Sequence, residues 1–353
     1  MYRYAQRGIR GLIYGPKNMT LRATCGESLK PQWLWFGVTD KCNSRCRHCS
    51  IWNQKPTAKP LSTHEIEKTF SDPLFKEVRY VINSGGEPVV RDDIKEIILI
   101  EHKTLPKARL QLSTNGLLPE RAIDVVEMAM ENGIKLDVGI SLDGIGEKHD
   151  NIRGVAGNFQ KVNRLLNALA DLREKYGKDR LCLQIGYTLS DLTLSSLEEV
   201  RTYAQGLNIN LLVQWYNTSS FYSNTDRKYV VSNDDLVKAI KTLDFNPIYA
   251  MWLEAIKGKS LTFPCFAMHT FCVLQCDGTI APCLSLWNVK VGNARESSPS
   301  AIWRSPKAEE VRMMVKNCRG CLNSWGTGWS FESCIYPLLL KYPSVVVKAL
   351  KEM

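Results

Sequence analysis

A chain of 353 residues with 44% apolar side chains can fill one large α/β domain and a smaller appendage, so disorder is not the default reading. The net charge of +10 is spread along the chain without a long Lys or Arg block. Most of it is solvated surface, and the balance suits an acidic or phosphorylated substrate without specifying nucleic acid. No apolar run approaches the roughly 18 residues that cross a bilayer, and the N-terminus lacks the apolar stretch and cleavage site of a secretory signal. The expected location is therefore the cytoplasm, where twelve cysteines stay reduced and point to metal ligation instead of disulfides.

Residues 1–32 form a basic arm in which Arg3, Arg7, Arg10, Lys17 and Arg22 precede any acidic residue. A lid packed on the main domain is the favoured reading, and peripheral contact with a membrane or anionic ligand is the other. From 33 to about 213, short apolar runs alternate with longer amphipathic stretches, the pattern of repeated βα units around a parallel sheet. The spacing predicts strands at 33–38, 78–83, 109–113, 136–141, 183–189 and 210–213, with helices at 63–70, 92–103, 120–132, 158–176 and 194–206. Right-handed crossovers bring every loop that follows a strand to one rim. Beyond residue 213 the chain divides into the remainder of this domain to 235, a helical linker at 236–262, a cysteine- and glycine-rich domain at 263–334 and a helical tail at 335–353. Cys25 and Cys182 read as ordinary buried thiols.

Directly after the first strand the sequence TDKCNSRCRHCSIW sets Cys42, Cys46 and Cys49 in the spacing C-x3-C-x2-C. Three thiolates on one loop can wrap one iron-sulfur cluster and leave its fourth iron open. Zinc, with His48 as a fourth ligand, is the alternative. Gly85-Gly86-Glu87-Pro88 follows the second strand as either a plain turn or a backbone that a ligand approaches closely. Ser113-Thr114-Asn115-Gly116 and Ser141-Leu142-Asp143-Gly144 end the third and fourth strands, and HDNIRG, with Arg153, follows.

Together these segments resemble the radical S-adenosylmethionine (radical SAM) superfamily over about 33–215. The resemblance implies an α/β fold, a partial (β/α)6 TIM-like barrel, with a small C-terminal iron-sulfur (twitch/SPASM-like) domain. It implies a [4Fe-4S] cluster on Cys42, Cys46 and Cys49 whose open iron chelates S-adenosyl-L-methionine. It places His48 near the adenine and Gly85, Gly86 and Glu87 at the methionyl ammonium. Ser113, Asn115, Ser141 and Asp143 would meet ribose and carboxylate, and Arg153 the methionyl carboxylate, for which a guanidinium fork is suited.

Near the C-terminus, Cys265, Gly278 and Cys283 fit C-x9-15-G-x4-C, and Cys318 with Cys321 adds C-x2-C. Two pairs of thiolates can close a four-ligand site for zinc or iron-sulfur. In this company they resemble the family's auxiliary-cluster extension. Because the next cysteine after Cys321 is Cys334, the short twitch form is expected, with one auxiliary [4Fe-4S] cluster on Cys265, Cys283, Cys318 and Cys321. Cys272 or Cys276 could replace Cys265.

The resemblance implies reductive cleavage of S-adenosylmethionine, fed by a partner such as flavodoxin or ferredoxin, and hydrogen abstraction from a substrate C–H bond. The expected substrate is a small polar sugar-, cyclitol- or nucleotide-like metabolite, and the basic balance suits an anionic one. Oxidation would use the auxiliary cluster as electron acceptor. Epimerisation would use Cys334, Cys272 or Cys276 as the catalytic hydrogen donor. Peptide modification is a further reading, weakened by the lack of a leader-binding domain before residue 33, and a structural zinc protein is the nonenzymatic one. Gln214, Trp215, Tyr216 and Asn217 are candidates for the substrate wall.

Overall fold

The structure, a computed structural model, describes residues 2–24, 29–54, 59–227, 232–243, 246–259, 263–318, 321–341 and 343. Six parallel strands carry the first part: β1 (Trp33–Thr39), β2 (Tyr80–Gly85), β3 (Arg109–Thr114), β4 (Leu136–Ser141), β5 (Leu181–Leu189) and β6 (Asn210–Trp215). Between them run α2 (Thr63–Phe70), α3 (Ile94–Thr104), α4 (Pro119–Glu131), α5 (Glu147–Arg153), α6 (Asn158–Tyr176) and α7 (Leu197–Gly206). Strand β1, WLWFGVT, is buried along its whole length because both of its faces are covered, as an uninterrupted apolar run in a parallel sheet requires. Helix α2 opens on a reciprocal Ser62–Glu65 capping box, which fixes where the chain resumes after the cysteine loop.

Two features depart from the expected plan. The sheet does not stop at β1: β7 (Phe271–Leu274) pairs with it in parallel, Leu34 opposite Cys272, and β8 (Thr279–Ala281) and β9 (Gly292–Asn293) continue antiparallel. The cysteine-rich segment is thus built onto the barrel's own sheet. Helices α8 (Asn233–Lys241) and α9 (Pro247–Ile256) precede that segment, α10 (Pro299–Trp303), α11 (Pro306–Lys316) and α12 (Ser324–Ser333) lie within it, and α13 (Tyr336–Lys341) follows.

The basic arm, for its part, is one 23-residue helix, α1 (Tyr2–Thr24), despite glycines and a proline that disfavour helix. A Cβ on Gly11 would lie 2.7 Å from the Phe331 carbonyl oxygen. Small residues here let α1 approach α12 at backbone distance, and the packing outweighs propensity. Among the described residues no helix is long and apolar enough to cross a membrane.

Candidate active site

The loop after β1 is held in place before any ligand is considered. The Arg45 and Arg47 amides donate to the carbonyls of Arg153 (3.0 Å) and Ile152 (2.9 Å) at the end of α5, and Ser44 Oγ donates to the Arg153 carbonyl at 3.1 Å. On the other side, the Gly86 amide donates to Thr39 O at 2.7 Å and the Glu87 amide to Lys41 O at 2.8 Å. A Cβ would stand 2.2 Å from Thr39 O at Gly85 and 2.1 Å from Lys41 O at Gly86. Both glycines are therefore required by the cysteine loop itself, a reason the sequence motif alone does not reveal.

Cys42, Cys46 and Cys49 converge on this loop. Burial pushes the Cys42 thiol up to about 11 and the Cys49 thiol up to about 12, and each is raised further by Cys46. Such thiols hold their protons until a cationic ligand replaces them. Glu87 is buried at the cavity wall, with Oε2 accepting from the Asn115 amide at 2.6 Å, and burial lifts its carboxyl to about 7. The Asn115 side chain donates to Asn43 Oδ1 at 2.8 Å and bridges the third strand to the cysteine loop.

Arg153 lies beside the trio. Its Nη1 donates to Cys46 Sγ at 3.6 Å, and its Nη2 meets Asp143 Oδ2 at 2.7 Å. Asp143 is fully buried and also accepts from the Thr188 amide at 2.8 Å. Burial alone would raise its carboxyl, but Arg153 and then His48 hold it below the ordinary range. Burial depresses His48 to about 4, so it is neutral at pH 7.

The cysteine trio, Glu87, Asn115, Arg153 and His48 face one cavity of about 210 Å³ at the rim of the strands. Ser113 and Ser141 reach it, as do Gln214, Trp215, Tyr216 and Asn217. Leu284, next to Cys283, and Trp325, just beyond Cys321, form its far wall.

Cys265, Cys283, Cys318 and Cys321 do not line this cavity; they form a second set, with Cys265 beside Cys318 and Cys321, and Cys283 beside Cys265 and Cys321. Burial pushes Cys265 up to about 12, and Cys318 and Cys321 raise it further. Burial likewise raises Cys283, with Cys265 and Cys321 adding to the shift.

Two family models match the chain: the radical SAM superfamily over residues 37–197, and the SPASM iron-sulfur cluster-binding domain over residues 265–322. Residues 37–197 are thus a radical SAM superfamily domain, followed by a SPASM domain. Similar proteins include a pre-heme d1 synthase from Dinoroseobacter shibae, 27% identical over 65% of this chain and 53% of that protein. An AdoMet-dependent heme synthase from Methanosarcina barkeri is 26% identical over 78% of this chain and 82% of its own length. Among solved structures, Streptococcus suis SuiB bound to S-adenosylmethionine shares the fold, with a TM-score of 0.63, 19% identity and coverage of 83% of this chain and 70% of that one. The chain spans about half the length of the pre-heme d1 synthase.

The residues present fit a radical SAM cluster, its S-adenosylmethionine and an auxiliary cluster. Both cysteine sets are thiol-only, the donor chemistry iron-sulfur clusters take. Beside the first set, buried Arg153 Nε and His48 Nδ1 find no hydrogen-bonding partner among the described residues, as expected of polar atoms reserved for a ligand.

Several expectations are corrected by placement. Asp143 does not reach the cavity wall: it stands behind Arg153 and orients it. Cys272 is fully buried in β7 opposite Leu34, and Cys276 lines a separate cavity of about 70 Å³ near Asp40 and Asp277, so neither stands in for Cys265. Cys334 is fully buried at the end of α12 against Gly15. None of these three thiols lines the main cavity. Cys182 is half-buried, and Cys25 lies outside the described residues. The acidic-substrate expectation also lacks support, since the only arginine on the wall among the described residues is Arg153, already tied to Asp143, and no lysine lines it.

Sequence reasoning missed Gln111, Gln184 and Thr188, and the apolar residues Trp35 and Phe221, on this wall. For β5 the signal was available: alternation along the strand turns Leu183 and Ile185 to one side and Gln184, Gly186 and Thr188 to the cavity, which Tyr187 also borders.

Proposed function

We propose that this protein reductively cleaves S-adenosylmethionine and oxidises a small uncharged substrate by two electrons. The observation that carries the reading is one cavity lined by Cys42, Cys46 and Cys49 and also by Leu284 and Trp325, chain neighbours of the second thiol set. When bound, the radical SAM cluster and S-adenosylmethionine supply a 5′-deoxyadenosyl radical, with an electron from a flavodoxin- or ferredoxin-type donor, and an auxiliary cluster supplies a one-electron sink.

The chain's own residues do the positioning. Cys42, Cys46 and Cys49 hold the first cluster, and Cys265, Cys283, Cys318 and Cys321 the second. Glu87 and the Gly85–Gly86 backbone receive the methionyl ammonium, and Arg153, steadied by Asp143, receives its carboxylate. Ser113 and Ser141 offer hydroxyls to the ribose, and Asn115 keeps the cysteine loop in register beside them. The cavity excludes water from the reacting carbon with Trp35, Phe221 and Trp325. Reduced thiols in this number support a cytoplasmic setting.

The neutral wall, with Gln184 and Gln214 at its floor, supports an uncharged cyclitol-, sugar- or nucleoside-like substrate. Two relatives are heme synthases by name. A tetrapyrrole bearing several carboxylates would need cations that the described wall lacks, so that substrate is not carried over. The remoteness of Cys272, Cys276 and Cys334 favours oxidation over epimerisation.

Anaerobic reconstitution followed by reduction tests the reading. The expected result is 5′-deoxyadenosine, and a metabolite that loses two mass units appears when a cell extract passed unretained through ion exchangers is added. Cys318→Ala should abolish that oxidation while retaining some 5′-deoxyadenosine formation. Full substrate oxidation by Cys318→Ala refutes the role given to the second thiol set, and stimulation confined to the anion-exchange-retained fraction refutes the neutral substrate.

A further inference from the structure

Arg22, near the end of α1, is buried between the two chain segments that deliver the auxiliary thiols. Its Nε donates to the Cys265 carbonyl at 2.8 Å, and its Nη2 donates to the Lys316 carbonyl, two residues before Cys318, at 3.0 Å. The guanidinium carbon lies 5.8 Å from the Phe266 ring centroid. Lys316 Nζ returns a bond to the Ala23 carbonyl at 2.9 Å, and Asn18 Nδ2 donates to the Ser333 carbonyl at 2.7 Å, so the helix is fastened on both sides of the arginine.

We propose that Arg22 is a positioning residue of the auxiliary site: it clamps the Cys265 segment to the Cys318–Cys321 segment and places a fixed positive charge against the backbone that carries three of the four thiols. The physical case is direct. Two thiol pairs far apart in sequence must be held at one spacing, and a guanidinium fork spans two carbonyls where an ammonium engages them only as a point donor. Four thiolates around an iron-sulfur core also concentrate negative charge, and a nearby buried cation stabilises the reduced, more negative state and raises the reduction potential. The N-terminal helix is thus part of the auxiliary centre. The inference rests on reading Cys265, Cys283, Cys318 and Cys321 as cluster ligands.

The test uses the full chain, reconstituted anaerobically, as wild type, Arg22→Met and Arg22→Lys. Iron per chain, iron loss to a ferrous chelator and an EPR-monitored redox titration are measured. Wild type should hold about eight irons, as two cubanes require. About four in wild type would refute the auxiliary-cluster reading itself. Arg22→Met should lose the auxiliary iron at least about tenfold faster, the scale of losing charge-assisted hydrogen bonds, and any auxiliary cluster it retains should titrate at a lower potential. Arg22→Lys should keep the wild-type potential but lose iron faster, because it has the charge without the fork. Wild-type iron retention and potential in both variants overturn the proposal. Should Arg22→Met fail to fold by circular dichroism, Arg22→Lys decides: faster iron loss supports the clamp and wild-type retention overturns it.

Discussion

Replacing Gly86 with alanine isolates the contact that seats the cysteine loop. Gly86 does not have a positive φ, so alanine meets no dihedral penalty there and the effect is steric. Its Cβ would stand 2.1 Å from Lys41 O and 2.6 Å from Lys41 C, where ordinary contact begins at 3.4 Å. The backbone one residue before Cys42 must therefore withdraw by roughly 1 Å, a displacement that costs on the order of 10²-fold in rate when it misplaces reacting groups. The move also stretches the 2.8 Å bond from the Glu87 amide to Lys41 O. Overpacking and that bond together predict a loss of about 2–4 kcal/mol. The assay pairs urea denaturation of the apoprotein with iron content and 5′-deoxyadenosine formation after reconstitution. Gly186→Ala is the control, since its Cβ would have Ile140 O as nearest neighbour at 3.8 Å while facing the same cavity. It should leave stability within about 0.5 kcal/mol yet slow 5′-deoxyadenosine formation. A Gly86→Ala protein with wild-type stability, iron and rate refutes the steric argument.

Glu101 is fully buried with the Asn83 amide as its partner at 2.7 Å, and burial raises its carboxyl from 4.5 to about 8. The native state keeps a proton that the unfolded chain releases, so this group's penalty is absent below about pH 4.5 and grows as pH rises towards 8. Glu101→Gln should flatten that slope and raise the melting temperature at pH 8, and an unchanged pH profile by calorimetry would contradict the protonated assignment. Asp143→Asn breaks a buried ion pair and leaves Arg153 uncompensated, at a cost of about 3 kcal/mol or more. Since Arg153 would also swing from the cluster loop, S-adenosylmethionine affinity by equilibrium dialysis should fall, and wild-type affinity with wild-type stability would show that Arg153 needs no such support.

Much of the barrel was legible because its signals are local. The apolar run of β1 and the amphipathic repeats place the six parallel strands, with boundary shifts such as β2, expected from 78 and observed from Tyr80, because a 3-10 turn at Pro73–Glu77 takes up the preceding residues. The cysteine spacings and the Gly-Gly-Glu-Pro segment were legible for the same reason. Long-range pairing was not: four residues, Phe271–Leu274, carry no mark that they will join β1. Helix α1 was hidden by Gly8, Gly11, Gly15 and Pro16, whose low helix propensity is overridden only where α12 lies against it. Nor could the sequence show that Asp143 turns away from the cavity, since a motif fixes the order of residues along a loop but not the rotamer that a buried arginine imposes.

Strand β1 explains how two thiol sets so distant in sequence are anchored on one sheet. Its C-terminal end launches the Cys42–Cys49 loop, and one edge pairs with β2, whose exit supplies the glycines that seat that loop. The opposite edge pairs with β7, and the chain on either side of β7 carries Cys265 and Cys283. Trp35, midway along β1, packs edge-on against Phe221 at 4.9 Å and Trp287 at 5.7 Å, joining the loop after β6 to the segment just beyond Cys283. A strand hydrogen-bonded on both edges and buried on both faces has little freedom to shift. The placement of the segments that carry Cys42–Cys49, Cys265 and Cys283 is therefore set by the sheet and not by a flexible linker, which is what electron exchange between two cysteine sets would demand of the scaffold.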